Sequence, residues 1–394
     1  MASLGGAGVK ATPLLGSLVA ACDQGELVDL AVSEGVAASS RERLGPLLPA
    51  SQRDRLADHA RWEAMSHLAF LGYLSKLGPA LDDAGLPWVV LKGPALVEIS
   101  YGGVPRGYTD LDLLVHPGHL RAAVDVLRGV GATLREDQWG PLLREVKGEL
   151  SLVLGGAPLL DLHWHVVFHR SARERFMIST DELLERRRRV SLGGVGAWVL
   201  EPVDFAAHVA LHASFQGAQR LRRLLDIERT ITNQAPDWTL FVERCRASKV
   251  GLPVGVLLNC ARETLGAAVP LEVVRELTGK HLGPLVVSHL SGWVPTGHLP
   301  GGRSFRTGLS RSLRDSLLTT SVQFASEMWA EFGALAGTRS VDRRGRRDQA
   351  DSYHGTTGLE DYLDMVGRVD RYGHLGTGCS DRPSGGGTWP ALTP

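Results

Sequence analysis

The N-terminal part of the chain has the apolar spacing of helices. Residues 1–57 predict short helices joined by Gly and Pro, and a longer helical pattern follows them. Gly85 and Pro87 predict the end of that longer helix, because glycine often follows the last helical residue and proline cannot continue a helix. The helix is predicted from apolar residues that fall at helical spacing: Trp62, Met65, Leu68, Leu71, Leu74 and Leu77.

Short β-branched and apolar runs follow, and they predict strands separated by helices. "WVVL" (88–91) and "LDLLVH" (111–116) have the length and composition of buried strands, and "PALVEISYGG" (94–103) predicts a short helix between them. An amphipathic helix follows at 119–132. "ELSLVLGGAPLLDLHWHVVF" (149–168) contains two strands around a Gly/Pro turn, which is typical of a hairpin. The pattern predicts a mixed α/β core of about four strands.

The pattern changes after residue 200, where consecutive amphipathic helices with short polar breaks predict an all-helical domain over 201–292. The remainder, 293–394, contains one helix-compatible stretch and then a charged, aperiodic tail that we expect to be loop or disordered. We therefore predict an α+β fold: a helical segment over 1–57, a mixed sheet with flanking helices over 58–200, the helical domain, and the tail.

Composition says more about the possible partners of the protein than about its fold. The 394 residues include 43 acidic and 43 basic residues, so no global charge favours nucleic acid or an anionic membrane. Four scattered cysteines without metal-like spacing, and no run long enough to cross a membrane, favour a reduced cytoplasmic location. "VAAC" ending at Cys22 has the form of a lipoprotein box, but we favour an amphipathic helix beginning near Leu14.

Two carboxylates on one predicted strand are the first chemical signal. Side chains alternate along a strand, so Asp110 and Asp112 share one face while Leu111 and Leu113 occupy the other. Two carboxylates that close raise each other's pKa unless a cation lies between them. Mg²⁺, or Mn²⁺, is the expected cation, because it binds carboxylates together with substrate phosphates.

A third carboxylate has the same setting on a later strand. Asp161 lies between two leucines, and if its strand pairs beside the first, three carboxylates meet. Two metal ions roughly 3.5 to 4 Å apart could then bind, with Asp161 as candidate general base. His163 shares its strand face and could act behind the carboxylates or accept a proton.

A phosphate-binding turn is predicted between the first strand and its helix. Lys92 brings a positive charge there, and Gly93 allows phosphate to approach the backbone next to the helix N-terminus. Arg106 precedes the aspartate pair and can reach phosphate oxygens with its forked donors.

Histidines leave a zinc site open as an alternative. Asp161, His163 and His165 could ligate zinc from one strand face, and His208 and His212 are spaced i, i+4 on a predicted helix. The helical pair lacks the glutamate of a metalloprotease motif, and buried histidines are more often core residues.

The remaining charged positions of interest have simpler structural explanations. Asp226 could form an i, i+4 ion pair with Arg222, although it, Arg222 or Arg223 could instead line a cleft. The "RRRR" run at 186–189 predicts a solvated helix end, since nucleic-acid binding segments usually interleave aromatic residues.

The order of these motifs resembles a known family. K-G, then R-x-x-x-D-x-D inside a strand, then D-L-H-W, is similar to an uncharacterised nucleotidyltransferase family of the DNA polymerase β-like superfamily. In that family K-G stands where the superfamily usually has G-S. "LEPVDFAAHVALH" and "LRRLLDIERTI" resemble the family's later motifs, so the resemblance covers roughly residues 60–235.

The resemblance implies a nucleotidyltransferase core and transfer of a nucleoside monophosphate from an NTP. It also implies Asp110, Asp112 and Asp161 as metal ligands, and it makes 58–200 the catalytic domain. It does not imply an acceptor, and Lys92 leaves open how the triphosphate is held.

We therefore expect an NTP-dependent nucleotidyltransferase that releases pyrophosphate. The acceptor is expected to be a small-molecule or peptide hydroxyl, in natural-product biosynthesis, and a protein or tRNA acceptor is the alternative. A non-catalytic nucleotide-binding module and a zinc-dependent hydrolase are the rival functions.

Overall fold

The structure is a computed structural model, and it describes the greater part of the chain. The described residues are 13–136, 139–155, 159–216, 221–279, 312–314, 319–323, 325 and 356–375.

Helices form the N-terminal part of the described chain, as predicted. The first begins next to Leu14, and the last begins at Ala50, earlier than the predicted boundary at 58. A 3-10 turn, Gly45–Leu47, separates the last two. The helices are α1 (Pro13–Ala21), α2 (Gln24–Ser33), α3 (Ala37–Leu44) and α4 (Ala50–Asp83).

The predicted helix is present as α4, but only the second half of its apolar pattern is buried. Trp62, Met65 and Leu68 are exposed, whereas Leu71, Leu74 and Leu77 are buried. Three residues cover about 300° of an α-helix, so a strict three-residue spacing turns by about 60° at each step and leaves the core face. The face that packs inward has mixed spacings of three and four and contains Leu56, Ala60, Glu63, His67, Phe70, Leu74, Leu77 and Leu81.

One mixed sheet of seven strands forms the centre of the described residues. The strands are β1 (Trp88–Val90), β2 (Asp110–Val115), β3 (Ala132–Leu134), β4 (Glu149–Leu154), β5 (Leu159–His163), β6 (Arg188–Leu192) and β7 (Val195–Val199). Their order across the sheet is β3-β4-β5-β2-β1-β7-β6. β2 and β5 are parallel, as are β1 and β7, and the other neighbours are antiparallel.

The sheet contains three strands more than the four predicted from the sequence: β3, β6 and β7. β3 has three residues, too few for a readable alternation. β6 begins inside the "RRRR" run, so the predicted helix end is correct only for Arg186, which follows α8 (Thr180–Glu185). Arg187 and Arg189 hold their guanidinium carbons 4.6 and 5.5 Å from the centroid of the Trp198 ring on β7. An edge strand can be this polar because one side of it faces solvent.

Short helical segments connect the strands. A five-residue π-helical segment, Leu96–Ser100, lies within the helix predicted after β1, and a 3-10 turn, Pro117–His119, follows β2. The remaining connecting helices are α5 (Leu120–Gly129), α6 (Trp139–Glu145) and α7 (Arg170–Arg173).

The helical region predicted after residue 200 is present as far as 279. Its core is continuous with that of the sheet, because buried residues of β1, β2 and the helices Pro202–Phe215 and Gly251–Leu265 belong to one apolar cluster. None of the described helices is both long enough and apolar enough to cross a membrane. The helices are α9 (Pro202–Phe215), α10 (Leu221–Gln234), α11 (Trp238–Ala247), α12 (Gly251–Leu265) and α13 (Leu271–Thr278).

The C-terminal part differs from the predicted tail at 356–375. These residues include α14 (Thr356–Val366), whose buried Tyr362 hydroxyl lies 2.8 Å from Nε1 of Trp164. Most of the helix predicted within 310–336, and all of the loop predicted over 338–355, lie outside the described residues. Apolar residues three or four apart, which charged neighbours hid in the sequence pattern, hold α14 against α5 and α6.

We expect Gly358→Ala to loosen α14 from the core. Alanine favours a helix by about 1 kcal/mol over glycine, but a Cβ at this position would lie 2.2 Å from Cγ of the buried Trp139. Overpacking of this kind costs about 1–3 kcal/mol, and we expect a net loss of stability in denaturant unfolding.

Gly367→Ala is the matched control, since its Cβ would meet only ordinary contacts at 3.4 Å or more. Its free energy of unfolding should change by no more than about 0.5 kcal/mol. Equal stability of both variants would contradict the docking of α14.

Candidate active site

Three carboxylates meet where β2 and β5 run side by side. Leu111 and Leu113 are buried on one face of β2, and each contributes roughly 1.5–3 kcal/mol that fixes the strand's orientation. Asp112 then lies directly opposite Asp161 on parallel β5. Carboxylate oxygens of Asp110, Asp112 and Asp161 lie within 4.8 Å of one another, so the expected pairing of the two strands is confirmed.

A fourth carboxylate, which the sequence analysis missed, comes from β4. Glu149 pairs with His163 across the β4–β5 ladder, and its Oε2 lies 3.1 Å from Nδ1 of that histidine. Two pairs along the same ladder, the Ser151 hydroxyl donates a hydrogen bond of 2.8 Å to Asp161 Oδ1. The alternation of side chains along β4 could have indicated this carboxylate, because Glu149 and Ser151 occupy the less buried face of the strand.

Burial and neighbouring charges shift the pKa values of all three aspartates. Burial raises the pKa of Asp161 to about 7, and repulsion by Glu149 and Asp112 adds to the shift. Burial and repulsion by Asp112 also raise the pKa of Asp110. Burial acts on Asp112 in the same direction, but attraction to Lys92 holds the pKa of Asp112 well below its usual range.

Lys92 is the fixed positive charge beside Asp112. Its Nζ lies 2.9 Å from Asp112 Oδ1 and 3.1 Å from His212 Nε2 on α9. Burial lowers the pKa of Lys92, but attraction to Asp112 and Asp110 outweighs it and gives a net rise. Burial and the nearby ammonium depress the pKa of His212, so the neutral ring accepts a hydrogen bond from Lys92.

Gly93 is required by the packing of the turn. Its φ is +56°, a region that favours glycine, and an added Cβ would lie 3.2 Å from the Tyr108 ring and 3.3 Å from the Asp110 carbonyl oxygen. The helix after this turn is short and mostly π-helical, which makes the expected contribution of a helix dipole small.

Arg106 lines the cleft but its forked donors are already used. Nε and Nη2 each lie 2.5 Å from a carboxylate oxygen of Asp226 on α10, and Tyr101 donates a hydrogen bond of 2.8 Å to the same carboxylate. Asp226 therefore pairs with Arg106 and not with Arg222, whose Nη1 donates to the Gly107 carbonyl at 2.5 Å. These contacts join α10 to the loop that precedes β2.

The histidines do not assemble the zinc site considered from the sequence. His163 lies with the carboxylates, its Nε2 3.0 Å from Asp112 Oδ1. His165 faces away, because its Nδ1 accepts from the Val167 N–H and its Nε2 lies 3.2 Å from the Ile178 carbonyl oxygen. Burial lowers the pKa of His165 to about 3, as expected for a neutral core residue.

A cleft of about 280 Å³ opens in front of Asp110 and Asp112. Its opposite wall comes from α9 and α10. Polar and charged side chains dominate the lining: Lys92, Arg106, Tyr108, Thr109, Asp110, Asp112, His212, Gln216, Arg222, Arg223 and Asp226. The cleft thus presents both cations and carboxylates to an occupant, as a bound metal–phosphate group requires.

We expect Asp226→Ala to destabilise the protein by about 3 kcal/mol, because it leaves the buried Arg106 guanidinium without its anion. The measurement is chemical denaturation of the purified variants. Arg106→Met combined with Asp226→Leu removes both charges. The double variant should lose clearly less free energy of unfolding than the sum of the losses measured for Arg106→Met alone and Asp226→Leu alone. Strictly additive losses would contradict a direct, buried ion pair.

Comparison with known proteins assigns the chain to a family. A family model described as uncharacterised nucleotidyltransferase matches residues 20–266, a wider span than the motifs at 60–235. No curated protein matches. The solution structure of the antibiotic-resistance factor ANT(2'')-Ia is 15% identical, with a TM-score of 0.32, and covers 46% of this chain and 90% of that chain, which is too distant to support an inference. Because the family model spans more than half of the sequence, the chain belongs to this family of uncharacterised nucleotidyltransferases.

Proposed function

We propose that this protein is a metal-dependent enzyme that transfers a nucleoside monophosphate from an NTP to a hydroxyl acceptor, with release of pyrophosphate. The observation that carries the proposal is the meeting of Asp110, Asp112 and Asp161 beside a cleft lined by cations. Membership of a nucleotidyltransferase family supports the same reaction class.

The donor set fits Mg²⁺ or Mn²⁺. All three side chains offer hard oxygen ligands, which suit these ions better than zinc. Burial raises the pKa values of Asp110 and Asp161, and repulsion by neighbouring carboxylates adds to both shifts, so a bound cation would be favourable here. When bound at the three aspartates, such an ion supplies charge neutralisation for the triphosphate and lowers the pKa of an attacking hydroxyl.

The chain's own residues would perform the remaining tasks. Lys92, with its ammonium fixed by Asp112 and His212, offers its positive charge to phosphate oxygens in the cleft. Asp161, held by Ser151, is the proposed acceptor for the proton of the attacking hydroxyl. Most of the rate would come from positioning and charge neutralisation, as in other phosphoryl transfers.

Asp112 needs a separate orienting contact because its carboxylate lies next to both Lys92 and the other two proposed metal ligands. His163 supplies it through the 3.0 Å contact of Nε2 with Oδ1, and Glu149 lies on the other ring nitrogen. We propose that this chain of contacts keeps Asp112 turned toward the cleft. His163 therefore acts behind the metal ligands and not as one of them.

For the acceptor we propose a small-molecule or peptide hydroxyl in a biosynthetic pathway in the cytoplasm. A balanced composition of 43 acidic and 43 basic residues gives no general attraction for a polynucleotide, so a tRNA acceptor is the less favoured alternative.

The proposal predicts that Asp110→Asn abolishes transfer while the protein stays folded. Removing one charge from the carboxylate group lowers its affinity for the metal ion, whereas the packing of β2 depends on its leucines. The measurement is incubation with each labelled NTP, Mg²⁺ and cell extract, following both pyrophosphate release and transfer of label. Asp125→Asn, an exposed substitution on α5, is the control that should retain full activity.

Full turnover by Asp110→Asn would contradict the proposed role of the three aspartates. Metal-dependent NTP binding by the unaltered protein, without pyrophosphate release from any of the NTPs, would favour the non-catalytic nucleotide-binding module.

A further inference from the structure

A stripe of large apolar side chains lies on the outward face of α4. Trp62 is 55% exposed, Met65 71% and Leu68 66%. The other exposed large hydrophobic residues in the described chain are single valines on separate elements. An apolar stripe confined to one helix face marks a contact surface more often than chance exposure does.

The spacing of the exposed positions is that of a coiled-coil seam. Beginning at Asp58, exposed residues recur at alternating intervals of four and three along α4, which is the seven-residue repeat that keeps one seam facing a partner helix. The seam covers about 27 Å at ~1.5 Å per residue and ends before the proline inside the helix. Its residues are Asp58, Trp62, Met65, Ala69, Gly72 and Lys76.

We propose that this seam pairs antiparallel with the same seam of a second copy of the chain. In an antiparallel coiled coil, a seam residue whose next seam neighbour is three residues later faces a partner residue whose previous seam neighbour is three residues earlier. That register places Trp62 opposite the partner's Gly72 and Met65 opposite the partner's Ala69, by the spacing alone. Each large residue meets a small one, and each contact occurs twice because the pairing is two-fold symmetric.

Charge fixes the direction of the pairing. In the same register Asp58 lies opposite the partner's Lys76, so the seam ends in ion pairs at both sides. A parallel pairing would place Asp58 against Asp58, Lys76 against Lys76, and the two Trp62 rings against each other. Asp58 also contacts Arg61 on its own helix, but both side chains are exposed, so that pair contributes little and competes weakly.

Space at the small positions agrees with this register. A Cβ added to Gly72 would meet nothing within 4 Å, so open volume lies above the glycine where the partner's Trp62 would insert. An indole buried in this way contributes more than any other side chain in the seam.

The seam and the cleft lie on opposite sides of α4. His67 contacts the Tyr108 hydroxyl at 2.8 Å and Glu98 Oε1 at 2.9 Å, and Glu63 lies against Gly107. The cleft lies on that inward side, so the pairing leaves it open. The proposed dimer is therefore independent of the proposed reaction.

The test is the mass of the full-length protein by sedimentation or light scattering across the micromolar range. The unaltered chain is expected at twice the monomer mass. Trp62→Glu should weaken the dimer by at least about tenfold in Kd, because it replaces the largest apolar contact of the seam with a charge. Val104→Glu changes an exposed valine outside α4 and should leave the dimer intact.

Charge reversal tests the direction. Asp58→Lys should weaken the dimer, and Asp58→Lys combined with Lys76→Asp should restore it, because both ion pairs form again with opposite polarity. A parallel dimer would not recover in the double variant. A monomeric unaltered protein, or an unchanged Kd for Trp62→Glu in a folded variant, would overturn the proposal and assign the stripe to another occupant.

Discussion

The contact between Lys92 and Asp112 is the interaction on which the rest of the site depends. Asp110, Asp112, Asp161 and Glu149 bring four carboxylates into a small, largely buried volume, which is unfavourable without positive charge. The Lys92 ammonium compensates for one of them at 2.9 Å. The residual negative charge is what makes the site a strong candidate for a divalent cation.

The fold supplies this arrangement through strand order and two anchors. Parallel pairing of β2 with β5 sets Asp112 opposite Asp161, and the antiparallel partner β4 adds Glu149 and Ser151 from the next strand. On the other side of the cleft, His212 of α9 contacts Lys92, and Asp226 of α10 binds Arg106 in the loop that precedes β2. Each anchor joins the sheet to the helical region, so the cleft depends on both.

Local alternation was sufficient to predict the carboxylates of β2 and β5, because side-chain direction in a strand follows from position alone. It could not predict the partners of Lys92 and Arg106, since His212 and Asp226 are distant in sequence and meet them only through tertiary packing. The "RRRR" strand was missed because an edge strand lacks an apolar pattern. On α4, a strict three-residue spacing does not follow one face of the helix, and the buried face includes the polar residues Glu63 and His67.

The central claim is that the three aspartates act together as one oxygen site for a divalent cation. Binding of Mn²⁺ measured by electron paramagnetic resonance, with a non-hydrolysable NTP analogue, tests it most directly. We expect tight binding by the unaltered protein and a large loss for Asp161→Asn, although Asp161 lies on a different strand from the other two ligands. Unchanged Mn²⁺ affinity in that variant would contradict the account.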